Sequence, residues 1–388
     1  YGNQLTSVDL SSNTALRVLE LSDNQLTALD LSNNLSLEEL LLQNNPMTTL
    51  DVSNNINLTH LNAGGNSLTA LDVSANSSLT YLAVDNSGIT TLDLSNHPSL
   101  RTLACYQNNL SSLNLNGVTS LEYLHCSTDK SNTLTSLDLS TNTGLRIIQL
   151  NGNQLSSIDL SNKIDLTELH LDGNLFSSID VSNNTNLNRL GLNYNQLTSL
   201  DISNNINLTR LDAQSNNIAE MDLSNNTMLN YLGVNNNPIS SLDLGANTLL
   251  QTLSAGNLLL TEIDISSNTL LIDLYLNSNQ ITSIDLTANE NLSVLWVQDN
   301  QIANLDVSNL INLYNLEVQD NQIANLDVSN LINLRNLVVH DNPLTSLDLT
   351  SNPNLEMLDV AHCGLTSIDV SNNQALDHFT GLENLLTS

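Results

Sequence analysis

The chain has 388 residues, of which 40 are acidic and only eight are Lys or Arg, so that its formal net charge is −32. So few cations cannot form the clusters that bind phosphate, and we therefore expect neither nucleic acid nor an anionic membrane surface as a partner. No apolar run approaches the roughly 18 residues that span a bilayer, which predicts no membrane insertion.

One sequence unit repeats along the chain. Equivalent leucines follow one another every 21 residues from Leu16 to Leu121, and after one step of 24 residues the interval of 21 resumes at Leu145. The shared pattern is L-x-x-L-x-L-x-x-N-x-L-x-x-L-D-L-S-x-N-x-x. The pattern predicts a single solenoid domain of about 18 repeats over residues 1–388, with both ends truncated inside a repeat and a three-residue insertion within 127–133.

The L-x-L segment of each unit predicts a β-strand, because alternate residues of a strand point to the same side and both leucines can then be buried. A single unit buries too little apolar surface to offset the ordering of its backbone, so the units must stack. Stacking predicts one long parallel sheet. The second half of the unit, as in Leu29 to Ser32, alternates in the same way and predicts a short extended or 3-10 segment on the opposite side, with little or no α-helix.

The repeated pattern resembles the signature of the leucine-rich-repeat family, L-x-x-L-x-L-x-x-N/C-x-L, in nearly every unit. The short unit and its L-D-L-S-x-N half resemble secreted bacterial proteins akin to the internalins and to surface repeat proteins of the Bacteroidetes. The resemblance implies a gently curved right-handed coil with the sheet on its concave side. It also implies protein binding and adhesion, and a location outside the cell or on its surface.

Two polar columns are interpreted as scaffold. The Asn that closes each strand unit, such as Asn45, can both donate and accept hydrogen bonds to the turns of neighbouring units, and Cys363 occupies the same position. Asp occupies 17 of 18 equivalent positions in the second half, and Asn114 occupies the remaining one. We expect these side chains to accept backbone N–H groups two and three residues on. Calcium bound between neighbouring Asp carboxylates is the alternative.

The residues at the second, fourth and sixth places after the first Leu of each strand unit should point outward from the concave face, where packing does not constrain them. Rings and basic groups gather there and at the adjacent seventh place, which indicates a binding surface. The first cluster comprises His60, Tyr81, Tyr106, Tyr123 and His125. The second comprises Arg189, Tyr194, Arg210, Tyr231, Tyr275 and Trp296, whose indole is expected to be exposed.

No nucleophile motif, metal-ligand spacing or phosphate loop occurs in the sequence. We therefore predict no catalytic residues, no bound metal apart from the calcium alternative, and no enzymatic activity. The predicted function is that of an extracellular recognition or adhesion module that binds a protein or an extended polysaccharide on its concave face. The alternative is a passive structural spacer within a larger surface protein.

Overall fold

The structure, a computed structural model, describes residues 3–128 and 133–385. The chain divides into two compact units, Tyr1–Gln196 and Leu197–Ser388. Most of the predicted insertion, residues 129–132, lies outside the described residues.

The described part of the first unit contains eleven strands of three residues each. They are β1 (Val18–Glu20), β2 (Glu39–Leu41), β3 (His60–Asn62), β4 (Tyr81–Ala83), β5 (Thr91–Asp93), β6 (Thr102–Ala104), β7 (Ser112–Asn114), β8 (Tyr123–His125), β9 (Ile147–Gln149), β10 (Glu168–His170) and β11 (Arg189–Gly191). Nine of them form a parallel sheet in the order in which they occur in the chain, while β5 and β7 pair with each other in a second, two-stranded sheet.

The described part of the second unit contains nine strands, all in one parallel sheet and again in chain order. They are β12 (Arg210–Asp212), β13 (Tyr231–Gly233), β14 (Thr252–Ser254), β15 (Asp273–Tyr275), β16 (Val294–Trp296), β17 (Asn315–Glu317), β18 (Asn336–Val338), β19 (Met357–Asp359) and β20 (His378–Thr380). Adjacent strands pair residues that are one repeat apart, such as Tyr275 with Trp296.

The central residue of each main-sheet strand is buried, apart from Phe379 in β20, and the residues on either side point to the outward face of the sheet. The side behind the sheet consists of turns and short extended segments, among which are β5 and β7. No α-helix or 3-10 helix occurs in residues 3–128 and 133–385. The predicted leucine-rich solenoid, with a parallel sheet and no α-helix, is confirmed. The described residues include no helix long and apolar enough to cross a membrane.

The Asn that ends most strand units connects its own coil with the preceding coil, so the predicted contact with a neighbouring unit is observed on that side. Asn45 shows the pattern: its Nδ2 donates to the carbonyl oxygens of Leu42 (3.0 Å) and Leu21 (2.9 Å), and its Oδ1 accepts the N–H of Leu26 (3.0 Å). Cys363 keeps one of these contacts, because its Sγ lies 3.5 Å from the carbonyl oxygen of Val339. The amide therefore satisfies backbone groups that the short strands leave unpaired.

A second Asn column, in the turn behind the sheet, binds successive coils together in a similar way. Asn55, for example, donates from Nδ2 to the carbonyl oxygens of Leu31 (3.2 Å) and Asn34 (3.0 Å). The repeat pattern contains this Asn, but the sequence analysis assigned it no role. Lys163 takes the same position and is buried, and its burial lowers the pKa of its ammonium group.

The Asp column closes the turn behind the sheet. In the representative case, the Oδ1 of Asp30 accepts the N–H of Ser32 at 2.9 Å. Asn114 accepts the N–H of Asn116 at 3.1 Å in the same geometry, so the charge is not needed for the bond. The Asp side chains were expected to accept the N–H groups of the residues two and three positions on. The bond to the residue two positions on is the one observed.

The residue before the first Asn column adopts a left-handed backbone, which the sequence analysis did not anticipate. Asp23, Asn44 and Asn86 have φ angles of 56°, 58° and 48°, and Asp and Asn tolerate this conformation better than most residues. Gly65 takes the same position with φ 66°. A Cβ there would lie 2.2 Å from the Oδ1 of Asn44, so a larger residue would require the Asn44 side chain to move.

Replacing Asn237 should destabilise the second unit. The Asn237→Ala variant leaves the buried N–H of Ile218 and the carbonyl of Val234 without partners and removes one of two donors to the carbonyl of Ala213. The expected loss of unfolding free energy is on the order of 3 kcal/mol, measured by denaturant unfolding. Asn237→Cys should lose less, because a thiol occupies the equivalent position at Cys363. Equal losses for the two variants would contradict the assigned role of the amide.

The Asp column should make stability fall in acid. Hydrogen bonds from the hydroxyl and the N–H of Ser266 hold the pKa of Asp264 below its usual range, and the same causes act at Asp30 and most of the column. A carboxyl with a lowered folded pKa stabilises the protein above its unfolded pKa of about 3.9. That stabilisation is lost as pH falls through the folded value. We expect the thermal midpoint to drop between about pH 5 and pH 2, and Asp264→Asn to weaken that dependence. A midpoint that rises towards low pH would contradict the account.

Candidate functional site

The predicted first cluster lies together on the outward face of the first unit's sheet, and we call these five residues the first patch. His60 and Tyr81 stack with ring centroids 6.0 Å apart. Tyr106 stacks on His125 at 4.3 Å, and Tyr123 meets His125 edge to face at 6.3 Å. The rings therefore form two contacting groups, His60 with Tyr81 and Tyr106 with His125 and Tyr123, along the face from β3 to β8.

Small side chains lie at the centre of the first patch. The strand register places Ala83, Ala104 and His125 side by side in β4, β6 and β8. Ala83 and Ala104 are 1% and 9% exposed, whereas the rings of the patch are only partly buried. The rings consequently project further outward than the small, buried side chains of Ala83 and Ala104.

The carboxylate of Asp85, which follows β4, lies among these rings. Burial and a hydrogen bond to Asp85 raise the pKa of Tyr106 to about 12, and burial with the same charge raises the pKa of Tyr81. Asp85 was not among the residues predicted for the binding surface. Gly64, at the equivalent place one repeat earlier, was an available signal, since a Cβ there would lie 2.6 Å from the Oδ1 of Asp85.

The polar ends of the other rings are engaged or uncharged. The hydroxyl of Tyr123 donates to the Oε1 of Gln149 at 3.2 Å. Burial lowers the pKa of His125, although the charge of Asp85 opposes that shift. Because the ordinary His value is already about 6.5, the imidazole is mainly neutral at pH 7. The first patch therefore presents aromatic surface together with one negative charge.

Arg210, Asp212 and Tyr231 form a compact set on the second unit's sheet. The Cζ of Arg210 lies 3.6 Å from the centroid of the Tyr231 ring. Its Nε donates to Asp212 Oδ2 at 2.6 Å, and its Nη2 donates to Oδ1 at 3.1 Å. Tyr231 lies over Gly233, where a Cβ would come within 3.2 Å of the ring. This set combines a cation–π contact with a two-pronged ion pair.

Tyr275 and Trp296 meet edge to face on the same sheet, with centroids 4.9 Å apart and ring planes 83° apart. Trp296 is half-buried, so the expectation of an exposed indole was wrong. Its Nε1 is covered and has no hydrogen-bond partner among the described residues. We call Arg210, Asp212, Tyr231, Tyr275 and Trp296 the second patch.

Two residues of the predicted second cluster belong to the first unit instead. Arg189 is exposed in β11. Tyr194 is 66% exposed and has a left-handed backbone with φ 55°, a conformation that is uncommon for a bulky residue. The outward face of the second unit therefore brings together Arg210, Tyr231, Tyr275 and Trp296, but not these two.

One group of side chains has the spacing of metal ligands. Asp320, His340 and Asp341 each offer one ligand atom, and these atoms lie within 4.8 Å of one another. In the parts of the chain that the structure describes, the Asp column supplies no such group of three. The carboxylates of that column are instead occupied by backbone N–H groups.

A scan against protein-family models finds no match, and a search of the curated proteins finds none. Among solved structures, the chain is similar to the functional domain of InlJ from Listeria monocytogenes, with 32% identity over 88% of this chain and 71% of that chain and a TM-score of 0.74. YopM from Yersinia enterocolitica WA-314 is 26% identical over 96% of this chain and 75% of that chain, with a TM-score of 0.70.

The leucine-rich-repeat ectodomain of the Arabidopsis thaliana receptor kinase GASSHO1/SCHENGEN3, solved in complex with Casparian Strip Integrity Factor 2, is 23% identical. That similarity covers 96% of this chain and 56% of that chain with a TM-score of 0.66, and at this identity it shows the fold alone. The match to InlJ has 32% identity and covers most of both chains. Together with the repeat pattern and the strand register, it shows that this chain belongs to the leucine-rich-repeat family.

Proposed function

We propose that this chain is a non-enzymatic recognition module that acts outside the cell and binds a protein on the outward face of its parallel strands. The observation that carries the proposal is the pair of aromatic patches on that face. A scaffold needs no large rings there, because the core lies on the other side of each strand. Partly buried Tyr, Trp and Arg side chains are the residues that contribute most to protein interfaces.

Ring geometry favours a protein over an extended polysaccharide. A sugar stacks best on a flat, open ring face, but Tyr275 and Trp296 stand nearly perpendicular to each other. The Tyr106 and His125 rings already cover each other. Ring edges beside charged and amide groups suit the irregular apolar and polar surface of a protein.

The location outside the cell is supported by the similarity to InlJ and by the internalin-like repeat. Low lysine content and high acidity are compatible with it. The shallow outward face also gives little means of excluding water from a reaction, which supports a binding role over catalysis.

Substitution of the patches should separate binding from a spacer role. The chain would be tested against an array of extracellular proteins and a parallel array of polysaccharides, using Tyr106→Ala and Tyr275→Ala. Ile332→Ala, at a 57% exposed turn residue outside the strands, is the matched control. We expect at least one protein to bind, and at least one patch variant to weaken that binding tenfold or more, as at other interface hot spots. The control should bind like the parent.

Thermal unfolding of each variant shows whether the scaffold is intact. Binding only to polysaccharides, with the same dependence on the patches, would replace the proposal with the glycan alternative. Protein binding that is indifferent to both patches would overturn the assigned surface. No binding to either array would favour a passive spacer.

A further inference from the structure

We propose that the first patch contains a subsite for an arginine side chain of the partner protein, with the guanidinium held between the Asp85 carboxylate and the tyrosine rings. This inference rests on the proposed function, because the partner is taken to be a protein. It adds the chemistry by which that partner is recognised.

The second patch contains a complete set of an aromatic ring, a carboxylate and a guanidinium. There a guanidinium lies against the Tyr231 ring and is bound at two points by the Asp212 carboxylate. All three members come from the chain itself. An arginine fits because its planar cation can stack on a ring and donate two parallel hydrogen bonds at the same time.

The Asp85 carboxylate lies beside the rings of the first patch, but no described Arg or Lys side chain supplies a cation there. Asp85 and Tyr106 occupy the same outward place in successive repeats, and the N–H of Asn86 donates to the Tyr106 carbonyl at 2.9 Å, so their side chains are neighbours on the face. The charge of Asp85 also acts on the pKa values of Tyr81 and His125. Arg and Lys side chains in the described ranges form their carboxylate ion pairs with Glu38, Glu122, Asp212 and Glu356, and none reaches Asp85 within 4.0 Å. No Arg or Lys of the described residues therefore neutralises this carboxylate beside the aromatic faces.

The charge of the surrounding surface also favours a basic ligand. The outward positions of the first unit, two, four and six places after each first Leu, carry five acids and one base. They are Glu20, Glu39, Asp85, Glu168 and Asp172, against Arg189. Such a surface attracts a basic segment and disfavours an acidic one.

The hydrogen-bonding capacity of the patch selects a donor. The Tyr123 hydroxyl is already donated to Gln149. The Asp85 carboxylate and the faces of the rings offer acceptor oxygen and aromatic surface to a ligand. Both are complementary to a guanidinium, which has five N–H donors and no acceptor.

The direct test uses N-acetyl-arginine methylamide as the probe and N-acetyl-citrulline methylamide as its control, since citrulline replaces the guanidinium with a neutral group of nearly the same shape. Titration of the whole chain would be followed by NMR of the tyrosine and histidine rings. We expect saturable binding of the arginine probe in the millimolar range, as suits so small a ligand. Citrulline should bind at least tenfold more weakly. Signals of Tyr106, Tyr123 and His125 should move.

Variants connect the binding to named groups. Asp85→Asn should weaken binding of the arginine probe tenfold or more, while Glu168→Gln, which removes one charge elsewhere on the same face, should change it less than threefold. Tyr106→Phe should bind within threefold of the parent because the ring remains, and Tyr106→Ala should not. Thermal unfolding confirms that each variant is folded, and Asp85 lies outside the hydrogen-bonded columns of the scaffold.

The subsite is refuted if citrulline binds as well as arginine, or if Asp85→Asn has no effect. Equal weakening by Asp85→Asn and Glu168→Gln would also refute it, since net charge alone would then explain the binding. Because the probe needs no protein partner, its binding is independent of the array experiment. A chain that binds the probe but no protein would contradict the proposed function alone, and a chain that binds a protein but not the probe would contradict the subsite alone.

Discussion

The whole structure depends on pairing the backbone polar groups of one coil with those of the next. Each main-sheet strand is only three residues long within a repeat of about 21, so regular strand pairing covers a small part of the backbone. The remaining buried N–H and carbonyl groups would each cost free energy if they were unpaired. The Asn side chains at both ends of the coil supply many of the missing partners, and the Asp carboxylates close the turns between them. Leucine burial drives the stacking, but these side chains fix one coil against another.

This arrangement separates residues that hold the coil from residues that face outward. The nearly identical segments Asn300–Asp320 and Asn321–Asp341 illustrate the separation, because they differ at only three pairs of positions, Tyr314/Arg335, Glu317/Val338 and Gln319/His340. Leucines, the structural Asn and the turn Asp are the same in both. Each difference falls at the edge or the outward side of a strand, where Arg335 makes an exposed ion pair with Glu356 and burial raises the pKa of Glu317. The scaffold can therefore stay constant while its surface chemistry changes.

Repetition explains why so much of this fold was predictable. A strand of three residues would be a weak signal on its own, but the same L-x-L segment in successive repeats fixes the period, the register and the inward columns. The first Asn column and the Asp turns followed from donor and acceptor chemistry. The left-handed position did not, because Asp23, Asn44 and Tyr194 share a backbone angle rather than a side-chain type. The site was less predictable for a related reason. The outward position of Trp296 predicts the direction of its side chain but not its half-buried contact with Tyr275. The role of Asp85 depends on rings that belong to other repeats.

The separation of scaffold from surface is the central claim, and a complete substitution scan of Asn321–Asp341 would test it most directly. Every single variant would be displayed and scored for resistance to proteolysis as a measure of folding stability. The account predicts large losses at Leu334, Leu337, Asn321 and Asp327, and broad tolerance at Asn336 and His340. Intolerance at the outward positions as strong as that at the inward ones would contradict it, because the strand face would then be part of the scaffold rather than free for recognition.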